Sequence, residues 1–202
     1  MTINYPPNGQ AFALNRWENS HSSTKSVSFS NRGMTLEDEI NKSNQYYLAN
    51  GIAVIHKKPT PIQIVSVDYP RRSAAKIKEA YFQRASTTDY NGVYQGHYID
   101  FDAKETQNKT SFPLQNFHEH QIEHMRQCLK QQGICFAIIK FVSDQAIFVL
   151  KASDLISAWD AQFDGGRKSI PRKEIEAKAY QIDYRINPPL VPYLDAVDQI
   201  IH

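Results

Sequence analysis

Two short stretches hold side chains that could carry hydrolytic chemistry. Asp89 closes Ser86-Thr87-Thr88-Asp89, and Asp102 and Lys104 lie in Asp100-Phe101-Asp102-Ala103-Lys104. The intervening residues read as two strands, Thr87 to Tyr94 and His97 to Glu105, joined by a tight turn. Two dipeptides compete for that turn. Asn91-Gly92 is the stronger type I′ sequence and Gln95-Gly96 the weaker. With Gln95-Gly96 in the loop, Asp89 faces Asp102 and Thr87 faces Lys104. With Asn91-Gly92 in the loop, Asp89 faces Tyr94 instead. Only the first register gives one apolar face, Ile99, Phe101 and Ala103, and puts Asp100, Asp102 and Lys104 on the other. That register is adopted.

Directly opposed aspartates have Cβ atoms about 5 Å apart and repel unless something positive lies between them. A hard divalent cation with oxygen ligands fits there. Lys104 projects from the same face, about 7 Å along the strand, and Thr87 adds a hydroxyl opposite it. A carboxylate pair, a cation and a lysine suit phosphodiester hydrolysis. The cation acidifies a water, and the lysine steadies that water or the charge on phosphorus.

A helix follows Pro113. Asn116 and Glu119 have capping-box spacing, and Gly133 lies beyond the expected end near Gln132. Phe117, Gln121, Met125 and Cys128, with His124 and Leu129 alongside, form its inner stripe. Gln121 sits amid apolar positions and needs a partner. A glutamine satisfied within the core is the plainer reading, and an oxygen aimed at the cation is the other. The same helix carries His120-Gln121-Ile122-Glu123-His124, an H-x-x-E-H zinc-protease pattern, with His118 as a third imidazole. Short patterns arise by chance. Only Glu174 and Glu176 are loose candidates for the downstream glutamate, so this reading ranks low.

The elements that must position these groups are legible in outline. Thr35 and Asp38 start a first helix that carries Leu36, Ile40, Tyr47 and Leu48 to Gly51. Ile52 to Ile55 is a short strand. Residues 56 to 75 contain His56-Lys57-Lys58-Pro59-Thr60-Pro61, a weakly alternating Ile62 to Val67, and Tyr69-Pro70-Arg71-Arg72. They read as a projection from the body, with a solvated edge strand as the plainer alternative. Ile134 to Ile139 and Ala146 to Leu150 read as strands. Asp154 to Trp159, Arg172 to Ala179 and Pro192 to Ile201 read as helices, with Gly165 to Lys168 a loop. Residues 1 to 33 read as a mobile arm, with six serines between Ser20 and Ser30.

Composition sets the outer limits. The chain has 202 residues, enough for one domain, and its 41% of apolar residues is too high for a disordered chain. Its longest apolar run, Ile134 to Ile139, is too short for a bilayer, and no apolar leader opens the chain, so a cytoplasmic location is expected. Cys128 and Cys135 match no zinc spacing and are expected to be reduced thiols. The net charge of +2 excludes a histone-like binder. Charge is segregated, however: Ile52 to Arg84 holds seven bases against two acids, and Ser86 to Glu105 holds four acids against Lys104. A basic stretch beside an acidic cluster suits a polyanion held near a divalent cation.

Several blocks together resemble the RecU family of bacterial Holliday junction resolvases. They are Asn31-Arg-Gly-Met34, Ala53-Val-Ile-His-Lys-Lys-Pro-Thr-Pro61, Ser86-Thr-Thr-Asp-Tyr-Asn-Gly-Val-Tyr94, Tyr98-Ile-Asp-Phe-Asp-Ala-Lys-Glu-Thr106 and Thr110-Ser-Phe-Pro-Leu-Gln115. The likeness runs from about Asn31 to the C-terminus and leaves the arm unmatched. It implies an α/β fold of the PD-(D/E)xK kind, a restriction-endonuclease-like mixed sheet flanked by helices, with a projecting basic stalk. The arm then covers residues 1–30 and the nuclease domain 31–202, with the stalk inserted at about 56–75. It further implies a homodimer that nicks opposed strands of a four-way DNA junction in recombination and repair.

By that resemblance Thr87, Asp89, Asp102 and Gln121 bind Mg²⁺, with Mn²⁺ substituting, and Lys104 stabilises the transition state. Arg32, Lys57, Lys58, Arg71 and Arg72 are implied phosphate contacts, and Glu37 a further acidic helper. The RecA recombinase is a partner by resemblance alone. One departure stands out: the family usually carries glutamate at position 102, where this chain has Asp102. A shorter ligand implies an active, slower enzyme. It also keeps open a second reading, a branched-DNA binding scaffold that does not cut. A zinc hydrolase is the third. Magnesium should activate the first, neither metal the second, and zinc the third.

Overall fold

Thr35 starts the first helix, α1 (Leu36–Ala49), through a capping box with Asp38. The helix buries Leu36, Ile40 and Tyr47, together with Glu39, Ser43 and Asn44. Leu48, expected on that stripe, is 48% exposed, because it falls one position round from Tyr47 and away from the sheet. This computed structural model describes residues 34–70, 74–83 and 86–202. The expected arm therefore lies outside the described residues.

Six strands form the main sheet in the order β1-β4-β5-β7-β8-β10. They are β1 (Val54–Lys57), β4 (Tyr90–Tyr94), β5 (His97–Thr106), β7 (Ile134–Phe141), β8 (Ala146–Lys151) and β10 (Tyr180–Ile182). β5 and β7 run parallel and the other pairs antiparallel, so the sheet is mixed. The parallel step is bridged by α2 (Glu119–Lys130), in keeping with the need for a crossover connection. α3 (Ala152–Ala161), α4 (Arg172–Lys178) and α5 (Leu194–Ile201) are the other α-helices among the described residues.

Strand alternation divides the core into two layers. Ile99 and Phe101 of β5 join Phe136 and Ile138 of β7 beneath α1 and α5. Cys135, Ala137, Ile139 and Phe141 point the other way, against Met125 of α2 and Leu155 of α3. Phe101 stacks between Tyr90 and Phe136, with ring centroids 4.8 Å apart on each side. α1 is also pinned by charge. Lys140 Nζ lies 2.9 Å from Glu39 Oε2, both residues are buried, and Tyr184 OH donates to the same oxygen at 2.8 Å.

The hairpin register is the one adopted from the sequence. Tyr94 pairs with His97 and Tyr90 with Phe101, and Gln95 and Gly96 both have positive φ, +49° and +80°. Asn91-Gly92, the stronger turn dipeptide, lies inside β4. Gly92 is there because β1 passes over it. A Cβ at position 92 would sit 2.0 Å from the Val54 carbonyl oxygen.

Other boundaries differ from expectation. β4 starts at Tyr90, so Thr87 precedes the strand and does not pair with Lys104. The first strand begins at Val54 rather than Ile52. β2 (Ile62–Asp68) and β3 (Lys76–Phe82) form a separate two-stranded sheet with nearly every side chain exposed. β3 escaped the sequence reading because neither of its faces is buried, so it has no apolar period. The short β6 (Ser111–Pro113) and β9 (Ser169–Pro171) pair with each other. They too were missed, as was β10.

α2 starts two residues later than expected, with His118 as its cap. Asn116 ends a 3-10 turn, Leu114–Asn116. The buried Phe117 holds the chain extended after that turn, so Asn116 cannot reach round to Glu119. The inner face of α2 includes Ile122 as well as Gln121 and Met125.

Candidate active site

The face of β5 opposite Ile99 and Phe101 carries Asp100 and Asp102, both fully buried. Strands bury polar side chains only when something meets them, and here α2 lies above. Its Gln121 reaches Asp102, and its His124, three residues on, reaches Asp100. The i, i+3 step of the helix thus matches the i, i+2 step of the strand.

Around Asp102 the partners converge on one oxygen. Oδ1 accepts from the Asp89 backbone N–H at 3.1 Å and from Gln121 Nε2 at 3.0 Å. Lys104 Nζ stands 3.5 Å from it. The same ammonium lies 3.0 Å from Asp89 Oδ2. The positive charge that two opposed aspartates demand is therefore supplied by Lys104. The other Asp102 oxygen, Oδ2, is buried and has no hydrogen-bond partner among the described residues.

These contacts set the protonation of the pair. Burial pushes the Asp102 carboxyl up to about 8, with the charge of Asp89 adding and Lys104 opposing. Burial also acts on Asp89, but its contact with Asp102 and the Lys104 ammonium outweigh it, and its carboxyl falls below the ordinary value. One acid is held as the anion and its neighbour is reluctant to ionise. A cation placed between them would remove that reluctance.

Asp89, Asp102, Lys104 and Gln121 are thus brought together. Thr87 is half-buried beside them, and its hydroxyl donates to the Thr88 carbonyl at 3.2 Å. Gln121 has both ends occupied: Oε1 accepts from the His118 backbone N–H at 3.0 Å while Nε2 faces Asp102. Its amide oxygen thus caps α2, and its buried position is satisfied on both sides. A cleft of about 440 Å³ opens beside Asp89, lined by Glu37, Lys57, Lys58, Gln83 and Ser86 to Asp89 among others. Glu37 pairs with Lys57 at its wall. Arg32, Arg71 and Arg72 lie outside the described residues.

A second polar group adjoins the first and was not read from the sequence. Asp100 Oδ2 is met by Lys58 Nζ at 2.9 Å, Tyr98 OH at 2.8 Å and His124 Nε2 at 3.1 Å. Its Oδ1 accepts from Thr88 Oγ1. Lys58, implied as a phosphate contact, here anchors to Asp100, and its backbone N–H donates to the Asp89 carbonyl at 2.8 Å. Asp100 thereby holds Thr88 directly, and through Lys58 the backbone of Asp89, in the segment that presents Thr87 and Asp89. The alternation of β5 signalled that Asp100 shares a face with Asp102, but only the helix above shows why it is buried. His120, the partner of His124 in the zinc-protease pattern, stacks on His118 with centroids 5.4 Å apart. Among the described residues, the group close enough to share an ion is Asp100, His124 and Cys128, without His120.

Among the described residues no helix is long and apolar enough to cross a membrane. Comparison with known proteins shows the family. The family model for Recombination protein U, RecU, matches residues 31–199. A protein of Lactiplantibacillus plantarum called Holliday junction resolvase RecU is 65% identical over 202 residues, covering 100% of this chain and 97% of its own length. One of the same name from Limosilactobacillus reuteri is 62% identical over 201 residues, covering 100% and 98%. A third, from Pediococcus pentosaceus, is 67% identical over 173 residues, 86% of each chain. The two full-length alignments include the first 30 residues, which the sequence resemblance had left unmatched. With a family model spanning most of the chain and relatives this similar over their whole length, the chain belongs to the RecU family.

Proposed function

We propose that this protein is a metal-dependent endonuclease that resolves four-way DNA junctions, as the names of its relatives suggest for them. The observation that carries the chemistry is the Asp89–Lys104–Asp102 cluster with its orphaned oxygen. A buried carboxylate oxygen with no donor is a costly arrangement unless a cation is its partner. Asp89 Oδ2, Asp102 Oδ2 and the Thr87 hydroxyl are all-oxygen donors, the set that Mg²⁺ prefers, with Mn²⁺ as its substitute. Gln121 serves this site by holding Asp102 in place, and it becomes a ligand only if its amide turns over.

Bound there, the cation supplies Lewis acidity to a water and to the phosphoryl oxygens. The protein's own residues do the rest. Asp89 and Asp102 fix the position at which phosphorus must sit. Lys104, whose ammonium lies against Asp89 and Asp102, would stabilise the charge that develops on the scissile phosphate. Water attacks phosphorus in line, the P–O3′ bond breaks, and the 3′ oxygen takes up a proton, giving a 3′ hydroxyl and a 5′ phosphate.

The β2–β3 ribbon is the stalk of this reading. It carries Lys76 and Lys78 as well as exposed Tyr69, Tyr81 and Phe82, a mixture suited to phosphates and unstacked bases. It enters the centre of the junction, so that choice of substrate rests on shape, not base readout. A two-fold homodimer places two such sites to match the symmetry of the junction. The test is nicking activity set against metal: Mg²⁺ and Mn²⁺ should support it, EDTA and Asp89→Asn should abolish it, and binding to the junction should survive in the variant. Binding without cutting in either metal would favour the scaffold reading and point to Asp102.

A further inference from the structure

Beside the nuclease cluster lies a set of ligands of another kind. Asp100 is fully buried, and His124 and Cys128 are a helical turn apart on α2. The His124 Nε2 to Asp100 Oδ2 distance is 3.1 Å, and Cys128 Sγ to His124 Nε2 is 3.5 Å. The three ligand atoms lie within 4.8 Å of one another. In a tetrahedral zinc site, with bonds of about 2.0 Å to oxygen and nitrogen and about 2.3 Å to sulfur, the N···O and N···S edges come to about 3.3 and 3.6 Å. The two measured edges fall within a few tenths of an ångström of those values. The fourth tetrahedral position is left to a solvent oxygen, as in zinc sites with three protein ligands.

We propose that Asp100, His124 and Cys128 form a binding site for a thiophilic divalent cation of the zinc class, separate from the all-oxygen nuclease site. Spacing in the sequence concealed it, because Asp100 lies on a strand 24 residues before His124. The fold closes it by bringing that strand under α2. Its occupant competes with Lys58, whose ammonium is 2.9 Å from the same Asp100 oxygen. That side chain is 19% exposed and can swing to solvent. Occupancy would lock α2 to the sheet one turn from Gln121, and so hold Gln121 against Asp102. The inference rests on this second ligand set alone and stands whether or not the protein cuts DNA.

The experiment is a titration of the full chain, reduced and metal-free, with Co²⁺, which reports thiolate ligation and tetrahedral geometry in its absorption spectrum. It is run on Asp89→Asn, so that the oxygen site contributes little. The expected result is an intense thiolate charge-transfer band that saturates at one equivalent, is displaced by Zn²⁺ and is untouched by excess Mg²⁺. Cys128→Ser and His124→Ala should weaken binding at least tenfold. Lys58→Gln should tighten it, a gain that misfolding cannot mimic. Only the weak bands of octahedral Co²⁺, or a thiolate band unchanged in Cys128→Ser, would overturn the proposal.

Discussion

Replacing Asp102 by asparagine separates what the site needs for chemistry from what the fold needs. Asparagine has the same shape and keeps an oxygen for Asp89 N–H and Gln121 Nε2, at 3.1 and 3.0 Å in the parent. It loses the charge. Burial raises the Asp102 carboxyl from 3.8 to about 8. An acid raised in the folded state contributes stability that is fully present below its unfolded value and is lost as pH rises to the folded one. At about 1.4 kcal/mol per pH unit, the loss between pH 4 and pH 8 is at most about 5–6 kcal/mol, less what the lowered Asp89 carboxyl returns on the way. Asparagine escapes it. Its amide N–H stands where the protonated acid carries its O–H, beside Asp89, so below pH 4 the two chains should be about equally stable. In EDTA at pH 8 the Tm of Asp102→Asn should exceed that of the parent by several degrees, since 1 kcal/mol moves a domain of this size by about 2–4 °C. Cleavage should fall about a thousandfold, near 4 kcal/mol of barrier. Thermal melts at the two pH values and nicking rates in Mg²⁺ read both effects. A variant that melts lower at pH 8 would refute the burial argument, and one that cuts at the parent rate would remove Asp102 from the machinery. Asp102→Glu, by contrast, should match or raise the parent activity.

The buried pair of Lys140 and Glu39 gives a second expectation. Lys140→Ala strands the Glu39 charge and should cost about 3–5 kcal/mol in urea unfolding, whereas Lys140→Met with Glu39→Leu should recover most of it. Gly92→Ala drives a methyl into the Val54 carbonyl at 2.0 Å. It should cost at the upper end of about 1–3 kcal/mol and raise amide exchange along β1. The capping box of α1 holds the Asp38 carboxyl below 3.8 through its hydrogen bonds to Thr35. A lowered acid stabilises above its unfolded value and ceases to as pH falls through the folded one. Protection of the amides in the first turn of α1, relative to their intrinsic exchange, should therefore drop below about pH 4 in the parent and lose that pH step in Asp38→Asn.

The site was legible because strand periodicity is rigid. Once Ile99, Phe101 and Ala103 are taken as one face, Asp100, Asp102 and Lys104 must share the other, and the turn choice brings Asp89 opposite Asp102. Gly92 shows where local signals mislead. Asn91-Gly92 is the better turn by propensity, yet the glycine answers to a neighbouring strand 38 residues away at Val54. The start of α2 was misplaced for a related reason, since a buried Phe117 outranked the capping spacing. The ribbon partner β3 left no trace because nothing covers it. The Asp100 group needed three elements at once, and no spacing along one of them could disclose it.

The central claim is that the Asp89, Asp102 and Lys104 cluster cuts four-way junctions. It is tested most directly by offering an end-labelled junction and a matched linear duplex to the parent and to Asp89→Asn, each with Mg²⁺ and with EDTA. The account predicts paired, symmetric nicks in the junction alone, with the parent and Mg²⁺ alone. Equal cutting of the duplex, or nicks that persist in Asp89→Asn, would contradict it.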